Sequence, residues 1–274
     1  MIMKFAIIVS EKDPAGLNVK GCLVEEIGFK EIEEKFDGSK VYQLNENVKL
    51  YTVKKESIYC EDVDKEIDAD LFVFATKHQS AKGVSSLSCH VSGNWDKAEA
   101  GGSDGKLCVA PALFLKETFV RLNENAKDTE HEITMECTHH GPFLNKPCFF
   151  IEIGSSLEEW KNKDSGNIIV KTIMDVLGKD ISEGKSCFVI GGSHYNQAAN
   201  KIMLRTEYAV GHICPKYMLE FLDEDLLKQA IERTVPKVSI VLLDWKGLGQ
   251  YKQKIIGLLD KFGIEYERTQ RILK

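Results

Sequence analysis

The sequence lacks the features that mark membrane and exported proteins. None of its 274 residues belongs to an apolar run approaching the roughly 20 residues that a membrane-spanning helix needs. The apolar run near the start, Phe5 to Val9, has five residues, and the charged Glu11, Lys12 and Asp13 follow at once. A secretory signal needs a longer apolar region and a small-residue cleavage site. We therefore expect a cytoplasmic protein with no membrane segment.

Several motifs of well-known enzyme and metal-binding classes are also missing. The sequence has no Walker loop, no Rossmann fingerprint and no H-E-x-x-H motif, which argues against NTPases, dinucleotide-dependent enzymes and the commonest helical zinc site. Its eight cysteines include no C-x-x-C pair, which disfavours a zinc ribbon or a thioredoxin-like site. Without an export signal, we expect these thiols to be reduced and mostly buried.

A positive net charge, typical of proteins that bind nucleic acid by bulk electrostatics, is absent as well. The chain carries a charge of −6 with a pI near 5.7. From Lys246 to Lys274, however, seven basic residues face only three acids. This excess fits either a solvated helix face or an RNA-contacting face, for which Lys252, Lys254 and Lys261 are the residues to test. The alternative candidates are basic residues beside the histidine loops, namely Lys77, Lys82, Lys201 and Arg205.

Apolar periodicity predicts strands and helices that alternate along the whole chain. Strands are predicted at residues 5–9, 48–53, 57–60, 71–75, 86–89, 133–137, 148–153, 187–190, 208–210 and 238–243. Helices are predicted from Pro14 to Gly28, from Pro111, from a capping box at residues 154–159, after Tyr195 to about Leu204, and at residues 168–177, 216–222, 226–233 and 251–262. Such alternation indicates a three-layer α/β/α fold around a largely parallel or mixed sheet. With no repeat or linker in view, we expect residues 1–274 to form a single domain.

Six of the seven histidines lie at or just after a predicted strand: His78, His90, His139, His140, His194 and His212. Ligands of open α/β sheets bind outside the carboxyl ends of the strands. Side chains that leave those ends converge if the strands are parallel, whereas a structural histidine has no reason to prefer that position. We therefore predict one shared, histidine-lined site at the strand ends.

Neighbouring residues suggest two chemistries for this site. Glu136 lies three residues before His139 and Glu152 ends a strand, so each fits a base, a metal ligand or a carboxylate that orients a histidine. Gly191-Gly192 lies between a strand and a helix, where N–H groups can hold an oxyanion, although a plain tight turn fits equally well. Either zinc held by histidine and glutamate activates a water, or a histidine acts as general base without metal.

In their order and spacing these residues resemble D-aminoacyl-tRNA deacylases of the archaeal and plant type. The resemblance runs nearly end to end and is carried by Asp13-Pro14-Ala15-Gly16-Leu17-Asn18, Lys77-His78-Gln79-Ser80, Leu87-Ser88-Cys89-His90, Gly93-Asn94, Glu136-Cys137-Thr138-His139-His140-Gly141-Pro142, Glu152-Ile153-Gly154-Ser155, Gly191-Gly192-Ser193-His194-Tyr195 and Gly211-His212. It implies a zinc-dependent enzyme with a fold like phosphorylase and peptidyl-tRNA hydrolase domains. The implied reaction is hydrolysis of the ester that joins a D-amino acid to the terminal ribose of tRNA.

This reading assigns roles to the candidate residues. The catalytic candidates are His78, His90, His139, His140, His194 and Glu136. The substrate-binding candidates are Lys77, Asn94, Gly191, Gly192 and Tyr195, and the zinc-ligand candidates are His78, His139, His194, Glu152 and His212. D-aminoacyl-tRNA is the expected partner, and no stable protein partner is expected. Two alternatives stay open: a metal-dependent peptidase or amidohydrolase on the same fold, and a non-catalytic tRNA- or metal-binding protein.

Overall fold

A computed structural model describes residues 3–80, 83–177, 179 and 181–274, so the candidate Lys82 lies outside the described residues. The strands are β1 Phe5–Ser10, β2 Lys30–Phe36, β3 Ser39–Asn45, β4 Val48–Val53, β5 Leu71–Gln79, β6 Ser86–His90, β7 Ala110–Pro111, β8 Glu132–Met135, β9 Cys148–Ser155, β10 Lys185–Ile190, β11 Tyr208–Cys214, β12 Thr234–Val235, β13 Val238–Leu243 and β14 Tyr266–Arg268. The α-helices are α1 Pro14–Cys22, α2 Val63–Glu66, α3 Ala112–Asn125, α4 Leu157–Lys161, α5 Lys163–Leu177, α6 Gln197–Arg205, α7 Glu224–Glu232, α8 Lys252–Lys261 and α9 Thr269–Ile272.

The strands form a large mixed sheet, a smaller parallel one and a two-stranded pair made by β7 and β12. The large sheet has the order β2-β3-β4-β1-β5-β9-β6-β8. Its central strands β4, β1, β5 and β9 are parallel, whereas β6 runs antiparallel to β9. The smaller sheet, β11-β10-β13-β14, is parallel throughout. Helices cover both sides of the large sheet, and α3 contacts both sheets. The predicted α/β class is confirmed, and the smaller sheet is an addition to the single sheet that was expected.

The junction of β1 and α1 shows how the sequence fixes local structure beside the site. Asp13 accepts hydrogen bonds at Oδ1 from the N–H groups of Ala15 (2.9 Å) and Gly16 (3.0 Å), and Pro14 occupies the first helical turn. Asp13 Oδ2 also accepts from the N–H of Lys77 at 2.8 Å. One carboxylate therefore caps α1 and ties it to the end of β5.

Several parts of the chain differ from the predicted elements. Residues 216–222 were expected to form a helix, but the helical part there is the 3₁₀ turn Lys216–Met218. Residues 57–60 were expected to form a strand, but Ser57–Tyr59 is a 3₁₀ turn. The hairpin β2–β3 was missed because its first strand is mostly exposed and charge-rich and therefore lacks apolar alternation. Strand β5 continues to Gln79 and therefore contains His78. Strand β11 continues to Cys214, which places His212 inside a strand instead of after one.

Burial agrees with the expected state of the cysteines. All eight are buried and free. The main hydrophobic core includes residues of both sheets, for example Phe74 of the large sheet and Val189 of the small one. Within the described residues, no helix has both the length and the apolar character required to traverse a membrane.

Candidate active site

The register of three central strands gathers polar side chains on one face of the large sheet. Thr76 of β5 lies opposite Glu152 of β9, which in turn lies opposite Ser88 of β6. Because side chains alternate between faces, His78 and His90 share this face with Glu152. The site is therefore built on a sheet face, not only beyond the strand ends. His90 reaches it although β6 runs antiparallel to β9.

Two buried carboxylates form the centre of the site. Glu152 accepts a hydrogen bond from Thr76 Oγ1 at 2.8 Å and lies 3.4 Å from His78 Nδ1. Glu136, which follows β8, lies 3.1 Å from the same His78 nitrogen. The other ring nitrogen of His78 is 2.7 Å from the hydroxyl of Tyr195. His78 is thus held between both carboxylates and a tyrosine.

His194 extends this network toward solvent. Its Nε2 is 2.8 Å from Glu136 Oε2, and its side chain is about one-third exposed, at 32%. Its Nδ1 lies 3.1 Å from the hydroxyl of Tyr217 and 3.3 Å from the thiol of Cys137. His194 comes from the loop after β10, so the smaller sheet contributes directly to the site.

Three histidine rings, those of His90, His139 and His140, cluster beside the carboxylates in tilted and edge-to-face contacts. Their ring centroids are 4.3 to 4.8 Å apart. Each ring directs Nδ1 at a backbone carbonyl: His90 at Val91 O (3.3 Å), His139 at Cys137 O (2.8 Å) and His140 at Gly141 O (2.6 Å). With the Nδ1 proton donated to that carbonyl, each Nε2 keeps its lone pair. His90 Nε2 is buried without a hydrogen-bond partner among the described residues.

The turn that carries His139 and His140 is confined by close backbone packing. His140 has a positive φ of 46°. A Cβ on Gly141 would lie 2.2 Å from Gly102 N and 2.4 Å from Ile58 O, so only glycine fits there. Asn94 supports the opposing loop, since its side-chain amide donates to Gly101 O at 2.9 Å. This contact is structural, and Asn94 is not among the residues that line the cleft described below.

The buried charges perturb one another's pKa values. Burial alone would raise the pKa of Glu136, but the hydrogen bond from His194 together with the neighbouring His90 and His139 lowers this pKa to about 2. Burial would likewise raise the pKa of Glu152, yet the neighbouring His78 and His90 lower it. Both groups are therefore carboxylates at neutral pH.

The histidines of the site fall into two groups, one with raised and one with lowered pKa values. Burial lowers the pKa of His194, but contacts with Cys137 and Glu136 raise it overall to about 10. The pKa of His78 is also raised, because Glu152 and Glu136 offset its burial. Burial lowers the pKa of His139 far below its ordinary value and that of His140 to about 4. The site thus pairs protonated with neutral imidazoles.

An open cleft of about 430 Å³ gives access to this network. Its walls are formed by Asp13, Glu56, Ser57, Ile58, Thr76, Lys77, His78, Gln79, His139, His140, Glu152 and His194. Lys77, a predicted substrate-binding residue, therefore lines the cleft. Asp13, Thr76, Cys137 and Tyr217 were not predicted to belong to the site. Asp13 and Cys137 did carry a signal, because both lie in segments on which the family resemblance rests.

The structure does not bring His212 into this group. Both of its ring nitrogens are engaged elsewhere, Nδ1 with Thr138 Oγ1 at 3.2 Å and Nε2 with Cys108 O at 3.1 Å. Its side chain is fully buried inside β11. These two hydrogen bonds leave no ring nitrogen of His212 free for the predicted metal contact. The prediction assumed that the strand ended before His212, whereas β11 continues to Cys214.

The Gly191-Gly192 turn lies beside the site. The N–H of Gly191 donates to Cys214 O at 2.8 Å and is not available to an oxyanion. The carbonyl of Gly192 accepts from the N–H of Lys216 at 2.9 Å. Both glycines have positive φ values, 103° and 85°, which the tight turn requires.

The basic residues proposed to hold tRNA have different surroundings. Lys252 lies over the ring of Trp245, Lys254 donates to the carbonyls of Leu219 and Glu220, and Lys261 pairs with Glu224. Lys201 and Arg205 are exposed on α6. The role of the basic C-terminal segment in tRNA binding stays a prediction.

Three groups of side chains have the donor atoms and spacing to hold a metal ion, with donor atoms within 4.8 Å of one another. These groups are His90-His139-His140, Cys137-His139-His194 and His78-Glu136-Glu152. The fold and this cleft define an α/β protein whose histidines and carboxylates suit acid–base or metal-assisted hydrolysis.

Comparison with known proteins shows which family this chain belongs to. The family model described as D-aminoacyl-tRNA deacylase matches residues 65–267. Curated relatives with that name include those of Thermococcus kodakarensis, 38% identical over 271 residues, and Thermococcus onnurineus, 39% identical over 272 residues. Each alignment covers 96% of this chain and 98% of the relative. The chain belongs to the D-aminoacyl-tRNA deacylase family.

A solved structure supports the same relationship. The crystal structure of a conserved protein of unknown function, AF0625, superposes with a TM-score of 0.91 at 28% sequence identity. It covers 99% of this chain and 97% of its own length. The two proteins therefore share the whole fold.

Proposed function

We propose that this protein hydrolyses the ester between a D-amino acid and the terminal ribose of tRNA, releasing free D-amino acid and tRNA. The observation that carries the proposal is family membership over nearly the whole chain, with 38% identity to a D-aminoacyl-tRNA deacylase. The cleft contains groups that this reaction needs. They are proton donors, ionised carboxylates and imidazole nitrogens with free lone pairs.

His194 and Glu136 are the proposed acid–base pair. The raised pKa of His194, about 10, keeps this imidazole protonated at neutral pH. A protonated imidazole in the cleft wall stabilises the negative charge that develops on the ester carbonyl oxygen. It can also protonate the leaving ribose oxygen when its Nδ1–H exchanges the Tyr217 hydroxyl and the Cys137 thiol for that oxygen. Glu136 stabilises that proton and orients the ring through the 2.8 Å contact.

Zinc is the proposed cofactor, with His90, His139 and His140 as ligands. Metal-binding histidines nearly always donate their second ring N–H to a carbonyl or carboxylate, as these three do. The lowered pKa values of His139 and His140 keep both neutral, as metal ligation requires. The buried His90 Nε2 has no hydrogen-bond partner among the described residues, with Glu152 Oε1 3.7 Å away, and also fits a ligand position. When bound, zinc would lower the pKa of a water molecule and so supply the nucleophile.

The family relationship also frames two broader proposals. We propose that residues 1–274 act as one domain, since the main core combines residues of both sheets. We further propose that the protein works in the cytoplasm, where charged tRNA is used, without a stable protein partner.

A deacylation assay with matched variants tests the proposed function. We expect the wild-type protein to release D-amino acid from D-aminoacyl-tRNA, and His194→Asn to lower kcat/KM by at least 100-fold. His131→Asn is the control, because His131 lies outside the cleft and contacts Thr129 and Ser165. Cleavage of small amides without cleavage of D-aminoacyl-tRNA would support the peptidase or amidohydrolase alternative. Binding of tRNA without turnover would support the non-catalytic alternative.

A further inference from the structure

A lysine and a tyrosine follow one another in a turn whose tyrosine contacts His194, a residue of the cleft wall. Lys216 and Tyr217 belong to the 3₁₀ turn Lys216–Met218, which follows the carboxyl end of β11. The Tyr217 side chain is anchored at its hydroxyl, which lies 3.1 Å from His194 Nδ1 and 3.3 Å from Cys137 Sγ. The residue nevertheless remains 49% exposed. Its ring is therefore held in place next to the catalytic network while much of it faces solvent.

Exposed aromatic side chains are scarce in the described part of the chain. Tyr59 and Tyr217 are the ones that stand out by exposure, at 43% and 49%. Tyr59 borders a different depression, together with Phe36 and Lys55. Of these two exposed tyrosines, Tyr217 is the one that contacts the cleft wall, through His194.

Lys216 adds an uncommitted positive charge beside this ring. Its backbone is fixed, because its N–H donates to Gly192 O at 2.9 Å. No carboxylate of the described residues lies within 4.0 Å of its ammonium group, which is exposed to solvent. Lys254 and Lys261 differ, since both ammonium groups are engaged with protein acceptors.

An anchored aromatic ring next to a free cation suits the end of a single nucleic-acid strand. Single-stranded nucleic acids are bound by stacking of bases on aromatic side chains and by cations that contact the backbone. A ring fixed by hydrogen bonds loses little conformational entropy when a base stacks on it. The proximity of Tyr217 to His194 would place a stacked terminal nucleotide with its ribose ester facing the histidines.

We propose that Tyr217 stacks on the terminal adenine of the tRNA and that Lys216 contacts a phosphate next to it. This inference rests on the proposed function, which supplies the substrate. It assigns recognition of the 3′ end of the tRNA to the turn that follows β11 of the smaller sheet. The chemistry remains with the histidines and carboxylates between the two sheets.

Steady-state kinetics over a salt series tests both contacts separately. Loss of a stacked base costs about 5- to 150-fold in binding, so Tyr217→Leu should raise KM by that factor at every salt concentration, with a smaller change in kcat. Tyr217→Phe keeps the ring but loses its hydroxyl anchor, so it should restore part of the loss in KM. Lys216→Ala should raise KM mainly at low salt and reduce the slope of log KM against log salt by about 0.7, the value for one phosphate of a single strand.

A matched pair at the far edge of the same sheet provides the control. Lys185 lies over the ring of Tyr208, with its ammonium 5.9 Å from the ring centroid, at the amino ends of β10 and β11. Lys185→Ala and Tyr208→Leu remove the same groups away from the cleft. Both variants should keep the wild-type KM and salt slope.

Binding of an uncharged CCA trinucleotide separates this inference from the proposed function. Wild-type protein should bind it, and Tyr217→Leu should weaken binding by the same factor as it raises KM. If D-aminoacyl-tRNA is not cleaved, the proposed function fails, but the binding result still decides the inference. Equal trinucleotide binding by wild type and Tyr217→Leu, with correctly folded protein, would overturn the stacking contact. An unchanged salt slope in Lys216→Ala would overturn the phosphate contact.

Discussion

Replacing Glu136 by glutamine is the sharpest perturbation of the proposed acid–base network. The carboxylate is fully buried, with Oε2 at 2.8 Å from His194 and Oε1 at 3.1 Å from His78. Glutamine has nearly the same shape but no charge. The substitution therefore removes the electrostatic support of two histidines while it preserves packing.

The expected magnitude follows from the contact that is lost. A hydrogen bond to a charged group contributes about 1.5–3 kcal/mol, which corresponds to a factor of roughly 10 to 150 in rate if the contact supports the transition state. The pH profile should change as well. Glu136 helps to raise the pKa of His194 to about 10, so protonated His194 persists to alkaline pH in the wild type. Without the carboxylate, the alkaline loss of activity should move to lower pH.

The assay is kcat/KM for D-aminoacyl-tRNA between pH 6 and pH 9, the upper limit being set by spontaneous ester hydrolysis. Glu132→Gln is the control, because Glu132 begins β8 and is exposed. Thermal unfolding of both variants verifies that they fold. The reasoning is refuted if folded Glu136→Gln keeps kcat/KM within threefold of the wild type and the same alkaline profile.

Three further outcomes are expected. His90→Gln should lower the zinc content of purified protein measured by mass spectrometry, whereas His131→Gln should not; equal metal content would exclude His90 as a ligand. Buried His212 has a pKa lowered to about 3, so the unfolded chain binds one more proton than the folded one between about pH 3 and 6.5, and stability falls as pH drops through that window. His212→Gln should therefore reduce the slope of unfolding free energy between pH 4 and 6 by about 1.4 kcal/mol per pH unit, and an unchanged slope would contradict the burial argument. Gly141→Ala should destabilise the protein by more than about 2 kcal/mol in denaturant titrations, because its Cβ would meet backbone atoms at 2.2 to 2.4 Å; a wild-type midpoint would mean that the turn can shift.

Much of the fold could be predicted because the sequence marks it locally. The buried strands β1, β9, β10 and β13 have continuous apolar runs, and the start of α1 is marked by Asp13 and Pro14. The β2–β3 hairpin could not be found in this way. Its first strand, Lys30–Phe36, is exposed and carries five charged residues among seven, so no apolar face distinguishes it from a loop.

The sequence was enough to predict which residues form the site, but not how they are placed relative to one another. The sequence singled out His78, His90, His139, His140, His194, Glu136 and Glu152, which the structure brings together, although their individual roles stay predictions. Strand direction and register are non-local properties. No local pattern indicates that β6 runs antiparallel to β9, or that His90 reaches Glu152 from the same sheet face.

The residues from the smaller sheet illustrate the same limit. Tyr217 and His194, which follow β11 and β10, meet Cys137 of the segment after β8 only in the folded chain, where the hydroxyl, Nδ1 and the thiol lie 3.1 to 3.3 Å from one another. His212 shows the opposite error. A strand end predicted four residues too early placed a structural histidine in the predicted metal site.

The most direct test of the account is the hydrolysis rate of tRNA charged with the D- or the L-enantiomer of the same amino acid. Each rate is measured with wild-type protein and with His194→Asn. The account predicts rapid release of the D-amino acid by the wild type, little release of the L-amino acid, and loss of the D-specific reaction in the variant. Equal stability of D-aminoacyl-tRNA with and without the wild-type protein would contradict it.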